Sequence, residues 1–116
     1  MLPKAYRLTK AKDFQNVTKK GVRVHSDIAT IYAILNPVKQ KNFTLGLIVS
    51  KVVGNSVVRH KVSRQLRNIV KEIVLEIPQN IDLVIRTTPK FLEKTFEENK
   101  KTIKENILKV ISKINV

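Results

Sequence analysis

In residues 50–72, SKVVGNSVVRHKVSRQLRNIVKE, six cationic side chains and His60 come before the first carboxylate, Glu72. Like charge at that density repels itself and costs folding stability unless an anionic partner neutralises it. On a helix, with about 100° per residue, His60, Arg64, Arg67 and Lys71 share one narrow sector, and Arg59 and Lys61 flank it. Such a row matches phosphates spaced along a nucleic-acid backbone, and each arginine can grip a phosphate with two parallel N–H donors. No acidic residue at i,i+4 neutralises the row, whereas an ordinary solvated helix face mixes its signs. Just upstream, Lys51 leads into Gly54, Asn55 and Ser56, a turn whose backbone N–H groups could face an anion. Gly-Asn turns join many strands to many helices, so this turn adds to the ridge without standing alone.

Catalysis by the side chains themselves has little to work with. His25 and His60 could serve as base and acid of a freestanding ribonuclease, with a lysine stabilising the charge of a phosphorane, but nothing in the sequence brings the two together. The absence of cysteine removes disulfides, thiolate nucleophiles and cysteine-type zinc sites. Two histidines do not make a familiar metal cage, so a metal would be held by oxygens or by a partner.

The elements that must carry these residues follow from apolar periodicity. Thr9 is placed to cap a short helix through KAKDFQNVTKK, with Ala11, Phe14, Val17 and Thr18 on its less polar side and Gly21 as a left-handed C-terminal residue. DIATIYAILN and NFTLGLIVSK read as strands joined by PVKQK in a hairpin-like connection, and GVRVHSD as a weaker strand before them. From about Ser56 the period changes to 3.6: Val58, Val62, Leu66, Ile69, Val70 and Ile73 line one side of a helix capped by Asn55 or Ser56 and stopped at Pro78. NIDLVIRTT gives a further strand. Pro89 then opens a final helix with a core stripe of Leu92, Phe96, Ile103, Ile107, Val110, Ile111 and Ile114. The order αβββαβα predicts an α+β sandwich of sheet and helices in a single domain over 1–116.

The formal charge of +14 is unevenly placed. Residues 1–71 hold 15 Lys and Arg against Asp13 and Asp27, while residues 72–116 hold 8 against 7 acids. A lysine-rich coding bias would not leave the C-terminal part nearly balanced, so nucleic acid is the expected target and an anionic membrane a weaker one. No apolar run reaches the roughly 18 to 20 residues that span a bilayer, and MLPKAYRLTK lacks the apolar stretch of a secretory signal, which points to the cytoplasm.

The order SKVVGNSVVRHKVSRQLR, a strand-end Ser-Lys, then Val-Gly-Asn-Ser-Val, then a helix opening Arg-x-basic-x-x-Arg-x-x-Arg, resembles the protein subunit family of bacterial ribonuclease P and its arginine-asparagine-arginine signature. RLTKAKDFQNVTKKG is similar to that family's opening helix, and the element order covers nearly the whole chain. The resemblance implies a mixed four-stranded sheet packed with helices, ribosomal-protein-like, with a left-handed crossover that departs from the usual right-handed rule. It implies a cofactor for a catalytic RNA that removes the 5′ leader of precursor tRNA, with no protein catalytic residues. Magnesium ions would be held mainly by RNA, with no small-molecule cofactor. The implied partners are the ribonuclease P catalytic RNA and precursor tRNA, with no membrane and no obligate protein partner. Arg59, Lys61, Arg64 and Arg67 would face the RNA, with Lys51, Asn55, His60 and Lys71 beside them. Phe14 and Tyr32 would line a cleft where the single-stranded leader stacks, a sequence-tolerant contact.

Some positions depart from the family pattern. His60 stands in place of asparagine and Lys61 in place of the second arginine, and lysine keeps the charge without the two-point grip. Ser63 and Gln65 replace basic or aliphatic residues, and Thr18 replaces an aromatic one. A structural RNA-binding protein, such as a ribosomal protein, is the alternative that explains the charge and element order equally well.

Overall fold

The computed structural model describes residues 6–8, 10–36 and 42–114. The expected cap Thr9 and the connection at 37–41 lie outside the described residues. Four strands form one sheet: β1 (Val22–His25), β2 (Ala29–Leu35), β3 (Thr44–Ile48) and β4 (Ile81–Thr87), in the order β1-β2-β4-β3. β4 runs antiparallel to β2 and parallel to β3. Its near-continuous apolar run follows from burial on both faces.

The period-2 alternation of the central strands separates two cores. Ile31 opposite Ile85 and Ala33 opposite Leu83 face the larger core, which also takes Val62, Leu66, Ile69 and Val70 of α2 (Ser56–Glu72) and Ile103, Ile107 and Val110 of α3 (Phe96–Ile114). On the other face Tyr32 and Val84 pair and pack with Val17 of α1 (Ala11–Lys20). The sheet thus lies between α1 and the α2–α3 layer. The α+β architecture and the seven-element order agree with expectation, and β3–α2–β4 forms a crossover between neighbouring parallel strands.

Several local expectations are corrected. β2 and β3 are not hairpin partners, because β4 inserts between them. Its buried Asp82 fastens both: the Thr44 hydroxyl donates to Oδ1 at 2.6 Å and the Asn36 amide donates to Oδ2 at 3.2 Å. α2 ends at Glu72, ahead of a 3₁₀ turn at Val74–Glu76 and well before Pro78. The final helix is broken: Pro89–Glu93 is a 3₁₀ turn, and α3 starts anew after Thr95. A capping box makes that start, with the Glu98 amide donating to Thr95 Oγ1 and the Thr95 amide and hydroxyl donating to Glu98 Oε1. Leu92 therefore leaves the core stripe and is 49% exposed.

Gly21 and Gly54 have ordinary negative φ; what they provide is space. A Cβ at Gly21 would stand 2.6 Å from the Ala33 carbonyl oxygen, and one at Gly54 would stand 2.7 Å from Val58 Cγ1, where the first turn of α2 closes on the loop.

Candidate nucleic-acid interface

α2 is set by its two faces and its cap. Val62, Leu66, Ile69 and Val70 are fully buried, and Asn55 Oδ1 accepts from the Val58 amide at 3.0 Å, satisfying one orphan N–H of the first turn. Burying that stripe fixes the helix rotation and leaves the cations outside. Arg64, Lys71, His60 and Lys61 are exposed, as are Lys51 and Asn55 at the preceding turn, while Arg59 and Arg67 are half-buried.

Among the described residues, every ion pair lies elsewhere: Lys94 with Asp27, and Lys100 and Lys104 with Glu72 or Glu97. The single acid of α2, Glu72, is thus committed to α3, with Lys104 Nζ at 2.8 Å and Lys100 Nζ at 3.8 Å. The Lys104 hydrogen bond holds its carboxyl below the ordinary range. The ridge cations have no internal counter-ion among the described residues.

The half-buried arginines border a trough. One cleft of about 250 Å³ lies between Arg7, Leu8 and Phe14 on one side and Ser63 and Arg67 of α2 on the other, with Leu45 and Leu47 of β3 as its floor. A second, of about 220 Å³, continues past Val49, Ser56, Arg59 and His60 and shares Leu47 and Ser63 with the first. Together they follow α2 from Arg67 back to Ser56, about 16 Å of helix at 1.5 Å per residue. The Phe14 ring lies against Gly46, where a Cβ would come within 2.6 Å of Cζ. Backbone pairing places Arg7 here: the Leu8 amide donates to the Leu45 carbonyl at 2.9 Å, and Arg7 bridges Leu45 at the free edge of β3.

The electrostatics of the trough favour an anion. Burial lowers the Arg67 guanidinium below its ordinary pKa, and the neighbouring charge of Arg7 lowers it further. The Nε donors of Arg7 and Arg59 are buried without a hydrogen-bond partner. An anion between Arg7 and Arg67 would relieve their mutual repulsion and engage the Arg7 donor, and a second, about 12 Å along α2, would engage the donor of Arg59.

The structure redistributes the residues expected from sequence. Arg59, His60 and Arg67 border the trough with Phe14, while Arg64 and Lys71 face outward. Lys61 lies on the other flank of α2, beside Leu92 and Phe96. Tyr32 is 7% exposed and packed against Val17 and Val84, so little of its ring is open to a base. His25 sits on the edge strand β1, with Nδ1 2.7 Å from Thr30 Oγ1, across the sheet from the β3 edge where His60 borders the trough, so no histidine pair forms. Sequence reasoning missed Arg7, Ser56 and Ser63. Ser56 and Ser63 fall about one helical turn before Arg59 and Arg67 respectively, and their small side chains leave the trough open, a spacing visible in the sequence only once the helix has a neighbour.

The family model described as Ribonuclease P matches residues 2–111. A Bacillus cereus ribonuclease P protein component is 36% identical over 102 residues, covering 88% of each chain. One from Nocardia farcinica is 35% identical over 109 residues, covering 77% of this chain and 70% of its own length. The solved structure of Staphylococcus aureus RNase P protein superposes with a TM-score of 0.81 at 31% identity, covering 93% of this chain and 99% of that one. The Thermotoga maritima RNase P protein shares the fold at 22% identity, with a TM-score of 0.73 over 93% of this chain and 96% of that one. With its basic helix, aromatic trough and mixed sheet in place, this chain belongs to the ribonuclease P protein family and is a bacterial ribonuclease P protein subunit.

Proposed function

We propose that this subunit binds a catalytic ribonuclease P RNA and the 5′ leader of precursor tRNA, and so assists the RNA in cleaving the leader away. The observation that carries this reading is the unpaired cationic face of α2 running beside a trough that contains Phe14. The outward cations, Arg64 and Lys71 with Lys51, suit phosphates of a folded RNA, whose condensed counter-ions are released on contact. The trough suits a single strand. Arg7, Arg59 and Arg67 would hold its phosphates, and Phe14 would give a base an aromatic surface that tolerates any sequence.

No described group of three His, Cys, Asp or Glu side chains is close enough to cage a metal, and the trough is lined by cations. These residues do not fit a protein-held metal, and magnesium is assigned to RNA phosphates. The chain's part is to bind and orient RNA, and bond cleavage is assigned to the RNA. Among the described residues no helix is long and apolar enough to cross a membrane. The reading puts the chain in the cytoplasm with its RNA partners and requires no further protein.

The test is reconstitution with ribonuclease P RNA at low magnesium. The chain should restore cleavage of precursor tRNA, and the complex should bind precursor tRNA more tightly than mature tRNA at fixed salt. Phe14→Leu, which keeps the packing and removes the aromatic face, should erase much of that preference. Equal affinities for the two tRNAs in the unmodified complex would overturn the leader assignment.

A further inference from the structure

α2 has a cleft on each flank, and the second contains a cation of the signature segment. This cleft, about 240 Å³, lies between α2 and the junction of the Pro89–Glu93 turn with α3. Lys61 and Lys94 supply its charge, Leu92 and Phe96 its apolar wall, and Gln65 and Asn99 its amides. Lys100 adds a third cation, 5.6 Å from the centre of the Phe96 ring.

Two features of the cleft are not accounted for by packing: the exposure of Leu92 and the free acceptor of Asn99. Leu92 is 49% exposed, although it sits in the turn that delivers Phe91 to the core. Asn99 is 2% exposed, and its Nδ2 donates to the Phe91 carbonyl at 2.8 Å, which fixes the orientation of the amide. Its Oδ1 is left buried without a partner. A buried acceptor of this kind is costly unless something donates to it.

We propose that this cleft is a second RNA site, one that takes a single unstacked nucleotide of the partner RNA. The base would lie against Leu92 and Phe96 and donate an amino or ring N–H to Asn99 Oδ1, the side chains of the cleft parting to admit it. Its phosphate would sit between Lys61 and Lys94. The Lys94 pair with Asp27, 2.9 Å long and exposed on both sides, is weak enough to exchange for a phosphate. RNA is favoured over a peptide because cations border the apolar wall and because Lys61 continues the outward basic face at His60 and Arg64. The proposal rests on the reading of α2 as the RNA-facing helix. It assigns Lys61 a different nucleotide from the one held in the Phe14 trough.

The experiment measures affinity for ribonuclease P RNA against salt concentration for the full chain and three variants. Leu92→Asp places a carboxylate at the mouth of the cleft. Leu75→Asp makes the same charge change at a fully exposed position beyond the other end of α2. Leu92→Asp should weaken binding about tenfold more than Leu75→Asp, the scale of one lost base contact. Equal effects of the two would overturn the second site. Arg64→Ala in the same series separates the two levels. If it weakens binding while the aspartates match, only this cleft fails; if none of the three has an effect, the RNA-facing reading of α2 fails with it. A benzophenone photo-crosslinker at position 92 should join a single unpaired nucleotide, and crosslinks confined to helical RNA would also overturn the site.

Discussion

Replacing Gly46 with alanine tests whether Phe14 is held in the trough by the absence of a side chain opposite it. A Cβ at position 46 would come within 2.6 Å of Phe14 Cζ and 3.2 Å of Leu8 Cδ2. Carbon atoms in ordinary contact stand about 3.5 to 4.0 Å apart, so the ring must retreat by about 1 Å. Because Phe14 is half-buried, the ring can move toward solvent. Overpacking of this kind costs about 1–3 kcal/mol. In a domain of this size each kcal/mol lowers Tm by roughly 4 °C, so thermal unfolding followed by circular dichroism should show a fall of about 4 to 12 °C. The decisive comparison is a double-mutant cycle with Phe14→Ala, in whose background Gly46→Ala should cost less than about 0.5 kcal/mol. The same penalty in both backgrounds would refute the seating of the ring. The displaced ring should also reduce the preference for precursor over mature tRNA while affinity for ribonuclease P RNA alone stays within about twofold.

Two other perturbations follow from the packing of α3. Thr95→Ala removes the capping box and should cost about 1 kcal/mol, read as a lower urea midpoint with an unchanged slope; no change would mean that α3 starts without it. The Lys104 hydrogen bond, with Lys100 nearby, holds the Glu72 carboxyl below its ordinary range, so its stabilisation is complete at neutral pH and fades as pH falls through its lowered pKa. Glu72→Gln should therefore lower Tm at pH 7, and its curve should meet the parent curve in acid; parallel curves would show that the α2–α3 ion pairs add nothing.

What could be read in the sequence was whatever a single element decides for itself. The face of α2 that carries Arg59, Arg64 and Arg67 follows from the positions of Val62, Leu66 and Ile69, because burying three apolar residues fixes the helix rotation. The sandwich and its element order follow in the same way from the change of period. Contacts between distant elements were hidden. The insertion of β4 between β2 and β3 brings Asp82 to Asn36 and Thr44, and a two-strand alternation carries no sign of it. Tyr32 reads as a cleft residue until Val17 of α1 is laid over it. Arg7 joins the site only because residues 7 and 8 bridge the β3 edge. The break before α3 was legible: Thr95 and Glu98 have the spacing of a capping box, which the longer apolar stripe through Leu92 obscured.

The central claim is that the unpaired arginines of α2 neutralise RNA phosphates. Its most direct test is the slope of log affinity for ribonuclease P RNA against log salt, for the parent chain and for Arg64→Ala and Arg67→Ala. Each substitution should flatten the slope by about 0.7 to 0.9, the loss of one phosphate contact. Parallel lines for all three proteins would contradict it.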